Sequence, residues 1–178
     1  LGMLLTFLIT VAIWQNGNFI GSAQTIAEVT AKPTWLAEFQ LPWMPSLGVS
    51  FHLAIDGLSL LMVSLTAFLG MMAVACSWGE ITRRVGFFHL NLLWSLGGVI
   101  GVFLAIDMFL FFFFWEMMLV PIYFLIAIWG HNAIGGKTKE YAATKFFIYT
   151  QASGLIMLIG ILILVMIHAS TTGQITFN

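Results

Sequence analysis

Glu116 is the one acidic residue in an apolar run that extends from Met108 to Trp129. At about 1.5 Å per residue along a helix, it lies roughly 14 Å from Asp107 and roughly 20 Å from Trp129, close to a bilayer midplane. Placing an ionisable group at that depth costs about 2.5 kcal/mol or more, and such residues usually serve transport. Burial favours the protonated carboxyl and a nearby cation favours the carboxylate, so a movable cation would make it take up and release a proton. The pattern predicts that Glu116 moves protons across a membrane; the alternative is a structural carboxylate that hydrogen-bonds a neighbouring helix.

Two further residues are candidates for a proton path. Lys145 is the nearest candidate partner in sequence, but it stands near the start of the following span, so we expect no direct contact with Glu116. It would act either as a relay between the cytoplasm and the core or as a side chain that reaches back to the interface. His131 directly follows the span of Glu116 and would serve the same path, unless it is an ordinary interfacial histidine.

Other polar and small residues in these runs have structural interpretations. Asp107 and Asp56 each precede an apolar run and are predicted to be helix N-caps. Pro121 lacks an N–H and crowds the carbonyl of Met117, so it predicts a kink beside Glu116. The GxxxG spacing in residues 97–101 predicts close helix packing.

The composition defines the class of protein. Hydrophobic residues make up 61% of the chain and charged residues 7%, the mean hydropathy is +1.03 and the net charge is −1. These values indicate an integral membrane protein with the lipid bilayer around it and no nucleic-acid partner. No Cys/His cluster or glycine-rich phosphate loop is present, and the single Cys76 cannot form an internal disulfide. We therefore expect no cofactor or metal in this chain.

The apolar runs predict an all-α integral membrane fold, a multi-span helix bundle. The predicted spans are a truncated one at 1–14 and full ones at 57–77, 87–106, 108–129 and 142–168. Basic residues concentrate in the two loops after the second and fourth spans, namely Arg83, Arg84, Lys137 and Lys139, against Lys32 on the other side. The positive-inside rule places those loops in the cytoplasm and makes 15–55 a periplasmic segment. Within it, the alternation over 47–53 predicts a short strand or hairpin arm.

Four sequence segments carry a resemblance to a known family. They are Leu-Ala-Ile-Asp-Gly-Leu-Ser at 53–59, Phe-Phe-His-Leu-Asn at 87–91, 104–121 with its Trp-Glu-Met-Met-Leu-Val-Pro motif, and Ala-Thr-Lys-Phe-Phe-Ile-Tyr-Thr-Gln at 143–151. The chain resembles the antiporter-like membrane subunits of respiratory complex I, the proton-translocating NADH:quinone oxidoreductase. The resemblance covers the whole chain but only the early part of the family protein, so we expect a fragment.

The resemblance implies a fold and a function. The fold would be part of an inverted-repeat antiporter-like bundle in a multi-pass protein of the bacterial inner (plasma) membrane. Quinone reduction elsewhere would drive proton transfer through an axis containing Glu116 and Lys145, with flavin, iron–sulfur clusters and quinone in other subunits. The partners would be the other membrane-arm subunits. The alternatives are a subunit of a related cation/proton antiporter or membrane-bound hydrogenase, or a structural membrane scaffold.

Overall fold

The computed structural model describes residues 2–16, 35–44, 48–132, 138–173 and 175–177. Lys32 and Lys137, which entered the orientation argument, lie outside the described residues. In chain order the elements are α1 (Gly2–Asn16), β1 (Ala37–Met44), β2 (Val49–Ile55), α2 (Gly57–Glu80), α3 (Val85–Leu104), α4 (Met108–Met117), α5 (Leu119–Trp129) and α6 (Lys139–Thr172).

The helices form a membrane bundle. Four segments of 20 to 34 residues are long and apolar enough to cross a membrane: Gly57–Glu80, Val85–Leu104, Met108–Trp129 and Lys139–Thr172. A bilayer crossing needs about 20 residues, so the protein is multi-pass. Helix α1 packs against α2, α3 packs against α4 and α5, and α6 packs against α5.

Several helix ends differ from the predicted ranges by two to four residues, since the helices cover 2–16, 57–80, 85–104 and 139–172. Two of these ends have a local reason. Helix α3 ends at Leu104 rather than 106, because Ala105 pairs with Leu53 of β2 and the N–H of Ile106 donates to the carbonyl of His52 at 3.0 Å. Helix α6 begins at Lys139 rather than 142, and the hydroxyl of Thr138 accepts the N–H of Tyr141. Pairing with β2 and capping by Thr138 therefore set these two ends.

A β-hairpin covers one end of the bundle. Strands β1 and β2 pair antiparallel with Ala37 opposite Ile55 and Leu41 opposite Phe51, and β2 is the strand predicted at 47–53. The hairpin lies within the predicted periplasmic segment 15–55, whose first two residues belong to α1. Residues 17–34 and 45–47 of that segment lie outside the described residues.

Asp107 joins the hairpin to the membrane helices. Its side chain is fully buried, and Oδ1 accepts the N–H groups of Phe109 and Leu110 at 2.9 and 3.1 Å. The predicted N-cap is confirmed. Its second oxygen, Oδ2, accepts the N–H of Ser50 in β2 at 2.9 Å. One carboxylate thus satisfies three backbone donors and fixes the hairpin over the start of α4.

Asp56 caps α2, as predicted. Its Oδ1 accepts the N–H of Ser59 at 2.6 Å, and hydrogen bonding from the Ser59 side chain and then its backbone lowers the pKa of Asp56 from the ordinary value of 3.8. The carboxylate form is therefore the one that stabilises the start of α2.

Replacing Asp56 by Ala is expected to lower the free energy of unfolding by about 1 kcal/mol at pH 7, because the cap is lost. Because the pKa of Asp56 is lower in the folded state, its carboxylate stabilises the protein above pH 3.8. This contribution disappears as the pH falls through the pKa that Asp56 has in the folded protein. The difference in the free energy of unfolding between wild type and variant should therefore become smaller in acid. Thermal unfolding in detergent at pH 7 and pH 3 measures it, and an equal difference at both pH values would contradict the prediction.

Small residues bring α3 close to the helices beside it. A Cβ on Gly98 would lie 2.9 Å from the Cβ of Met118, and a Cβ on Gly101 would overlap the ring of Phe114. Gly97, by contrast, has open space beside it. The predicted close helix packing is therefore present at residues 97–101. Gly98 and Gly101 make the contacts, whereas Gly97, the first glycine of the GxxxG spacing, makes none.

Candidate functional site

The helix that carries Glu116 is interrupted two residues after it. Helix α4 ends at Met117 and α5 begins at Leu119, with Met118 as a turn between them. Pro121 has no N–H to offer the carbonyl of Met117, and the next bond, from the Ile122 N–H to the Met118 carbonyl, is long at 3.4 Å. The kink predicted from Pro121 therefore appears as a break in the ladder, and it leaves polar backbone next to Glu116.

The carboxyl of Glu116 lies against the backbone of α6. A Cβ built on Gly154 would overlap Oε1 of Glu116, and it would lie 3.0 Å from Cδ and 3.7 Å from Oε2. Gly154 itself is buried. The carboxyl occupies the space that any side chain at position 154 would need.

Oε1 of Glu116 is buried and has no hydrogen-bond partner among the residues that the structure describes. A buried ionised carboxylate without a partner is costly, and an orphaned buried acceptor costs about 1 to 3 kcal/mol even in milder cases. A proton, a water molecule or a cation that reaches Oε1 would remove this cost. Oε1 is therefore the atom at which a donor group or a cation would bind.

Lys145 does not lie near Glu116. It precedes Gly154 by nine residues on α6, which is half a rotation around the helix and about 14 Å along it. Its side chain is exposed, and Nζ lies 5.7 Å from the ring centre of Tyr149 and 6.0 Å from that of Tyr141. Lys145 thus lies on the face of α6 opposite the glutamate, and the direct contact that the sequence argued against is absent.

The histidines lie away from the carboxyl as well. His131 is exposed just beyond the end of α5, about 22 Å along the helix path from Glu116. His89 is half-buried in the first turns of α3, where Nδ1 is 2.9 Å from the carbonyl oxygen of Val85. Its Nε2 is buried without a hydrogen-bond partner within the described ranges. Neither ring completes a site with Glu116.

Gly154 is the site residue that the sequence argument missed. The signal available was weak: it follows Ala152 and Ser153 in a run of small residues within an apolar helix, which indicates close helix contact. It does not indicate which side chain makes that contact. Within the described residues, no group of three His, Cys, Asp or Glu side chains could hold a metal ion.

Comparison with known proteins finds a family that matches the second half of the described membrane spans and relatives that match along the chain. The family described as NADH:quinone oxidoreductase/Mrp antiporter, TM, matches residues 105–177, which contain Glu116 and Gly154. The chain is 63% identical to NADH-quinone oxidoreductase subunit M of Escherichia coli (strain K12) over 98% of its own length and 33% of the relative's. It is 60% identical to subunit M of Pseudomonas aeruginosa, over 100% of the chain and 34% of the relative. The chain thus spans about a third of the length of these relatives.

Solved structures show the same fold. Respiratory complex I from Thermus thermophilus with bound NADH matches with a TM-score of 0.67 and 28% identity, over 99% of this chain and 32% of the matched one. The Mrp complex from Dietzia sp. DQ12-45-1b matches with a TM-score of 0.69 and 22% identity, over 97% of this chain and 16% of that one. The multi-span membrane helix bundle and its antiporter-like type are confirmed, and the β-hairpin makes the fold mostly rather than entirely helical. Residues 105–177 thus match the NADH:quinone oxidoreductase/Mrp antiporter family, and the chain is similar along its length to subunit M of two bacterial NADH-quinone oxidoreductases.

Proposed function

We propose that this chain is part of a proton-translocating membrane-arm subunit of a bacterial NADH:quinone oxidoreductase, in which Glu116 carries protons. The observation that supports this most directly is the buried Oε1 of Glu116, which has no hydrogen-bond partner in the described part of the chain and lies against Gly154 in a membrane span that breaks at Met118. The identity of about 60% to subunit M supports the choice of complex.

In the proposed mechanism, Glu116 alternates between a protonated and an ionised state. The protonated carboxyl is compatible with the apolar surroundings beside Gly154, whereas the carboxylate needs a cation or water close to Oε1. The helix break next to Glu116 supplies backbone carbonyls that water can bond. Quinone reduction elsewhere in the complex would move a cationic group towards or away from the carboxyl, and so drive proton release and uptake.

Lys145 and His131 have secondary roles in this proposal. Lys145 is on the opposite face of α6, so it would pass protons between the aqueous side and other helices rather than pair with Glu116. His131 is exposed at the end of α5 and would act only at the entrance. Flavin, iron–sulfur clusters and quinone would be bound by other subunits, and the protein would reside in the inner membrane with the other membrane-arm subunits.

A cation/proton antiporter subunit is the second candidate, because the Mrp complex matches this fold with a TM-score of 0.69. The same buried carboxyl would then exchange protons against a cation gradient, without a redox reaction. A membrane-bound hydrogenase subunit and a structural scaffold are the remaining alternatives.

Inside-out vesicles from cells with and without the gene for the full-length protein distinguish these functions. We expect that vesicles lacking the protein lose NADH-driven proton uptake and regain it when the gene is supplied on a plasmid. Vesicles that keep NADH-driven uptake but lose Na⁺-driven proton exchange would instead identify an antiporter subunit. Unchanged proton movement in both assays would contradict a transport function.

A further inference from the structure

A basic pocket lies where three spans end on the same side of the bundle. It has a volume of about 250 Å³ and is bounded by the α2–α3 turn, the end of α5 and the start of α6. Its lining residues are Arg83, Arg84, Ala127, Ile128, Trp129, Lys139 and Glu140. Three cations therefore face one carboxylate, which leaves the pocket with a net positive charge.

The two arginines of this pocket are not paired with its one carboxylate. Among the described residues, neither Arg83 nor Arg84 forms an ion pair, and both side chains are exposed. Arg84 also has a left-handed backbone with φ 51°, an uncommon conformation for a residue other than glycine. The turn therefore presents two exposed arginine side chains at one pocket, and no hydrogen bond or ion pair among the described residues occupies their guanidinium donors.

The walls of the pocket are fixed by hydrogen bonds between elements. The indole Nε1–H of Trp129 donates to the carbonyl of Arg83 at 2.9 Å, so the arginine turn is tied to α5. Nζ of Lys139 donates to the carbonyl of Ile128 at 2.6 Å, so the start of α6 is tied to α5 as well. The backbone of the arginine turn and the side chain of Lys139 are thus held beside α5.

An apolar surface leads from the pocket towards the membrane interior. Phe124 and Val120 precede Ala127 by three and seven residues, so all three share one face of α5. Phe124 is 37% exposed and Val120 is 41% exposed. An anion that carries an acyl chain would match both the charge of the pocket and this apolar face, whereas a free anion would use only the charge.

We propose that this pocket binds the phosphate headgroup of an anionic phospholipid from the leaflet on its own side. The guanidinium groups of Arg83 and Arg84 donate to the phosphate oxygens, Lys139 contributes charge, and an acyl chain lies along Phe124 and Val120. Basic pockets between membrane helices on the cytoplasmic side commonly bind such headgroups. The site is separate from Glu116 and does not depend on its function.

Native mass spectrometry of the delipidated full-length protein tests this site with three probes: phosphatidylglycerol, phosphatidylcholine and inorganic phosphate. We expect phosphatidylglycerol to bind and phosphatidylcholine not to bind with comparable affinity. Replacing both arginines, Arg83→Gln with Arg84→Gln, should weaken phosphatidylglycerol binding by about 30-fold, at about 1 kcal/mol per cation. Arg83→Lys with Arg84→Lys keeps the charges and should retain most of the binding, which separates lost charge from a misfolded turn.

A single Lys145→Gln change provides the matched control for Arg83→Gln, because it removes one exposed positive charge outside the pocket. Binding that falls equally in both single variants would overturn the site, as would equal binding of the two lipids. Inorganic phosphate that binds as tightly as phosphatidylglycerol would overturn the lipid assignment and indicate a free-anion site.

Discussion

Glu116→Gln is expected to abolish proton translocation while the complex still assembles. Glutamine has the same size and shape as glutamate, so it fits the space against Gly154, but it cannot take up or release a proton. Loss of a group that transfers protons typically lowers the rate of that step by about 100-fold or more. Proton uptake by vesicles that carry the intact complex, driven by NADH, measures the effect.

Two controls belong to this experiment. Electron transfer from NADH to an artificial acceptor should be unchanged, since the redox centres are expected in other subunits. Glu80→Gln makes the same carboxyl-to-amide change at an exposed residue at the end of α2, and it should pump normally. Unchanged pumping by Glu116→Gln would show that the carboxyl is structural, and a complex that fails to assemble would favour the scaffold alternative.

Gly154→Ala is expected to reduce proton translocation by about 10-fold to 100-fold, although the change is a single methyl group. The new Cβ would overlap Oε1 of Glu116, so the carboxyl must leave its position against α6. Displacing a reacting group by about 1 Å can cost about 100-fold in rate. Alanine also favours a helix over glycine by about 1 kcal/mol, so a weaker α6 would not explain the loss.

Gly160→Ala is the matched control on the same helix. A Cβ at position 160 meets nothing within 4 Å, so this variant should pump like the wild type. Adding Glu116→Asp to Gly154→Ala shortens the acidic side chain by one methylene and should relieve the overlap. The double variant is then expected to lose less activity than the product of the two single effects. Equal losses of proton translocation in Gly154→Ala and Gly160→Ala would show that Gly154 does not position the carboxyl. Independent effects of Glu116→Asp and Gly154→Ala on proton translocation would show the same.

The sequence by itself determined the class of the protein, its spans and several local features. Span length follows from bilayer thickness, which any continuous apolar run must match, so the long runs could be found without a structure. The N-caps at Asp56 and Asp107 and the break before Pro121 depend on residues within a few positions, and they were predictable for that reason. The family resemblance rested on the same local motifs.

Only the tertiary structure decided which residues meet. The contact between Glu116 and Gly154 joins two helices, and it depends on how each is rotated about its axis, which apolar runs do not specify. The same rotation makes Gly98 rather than Gly97 the contact residue and turns Lys145 away from the carboxyl. The second role of Asp107, holding the N–H of Ser50, likewise required the hairpin to fold over the end of the bundle. Contacts between distant segments are set by packing of the whole bundle, so they appear only when it is assembled.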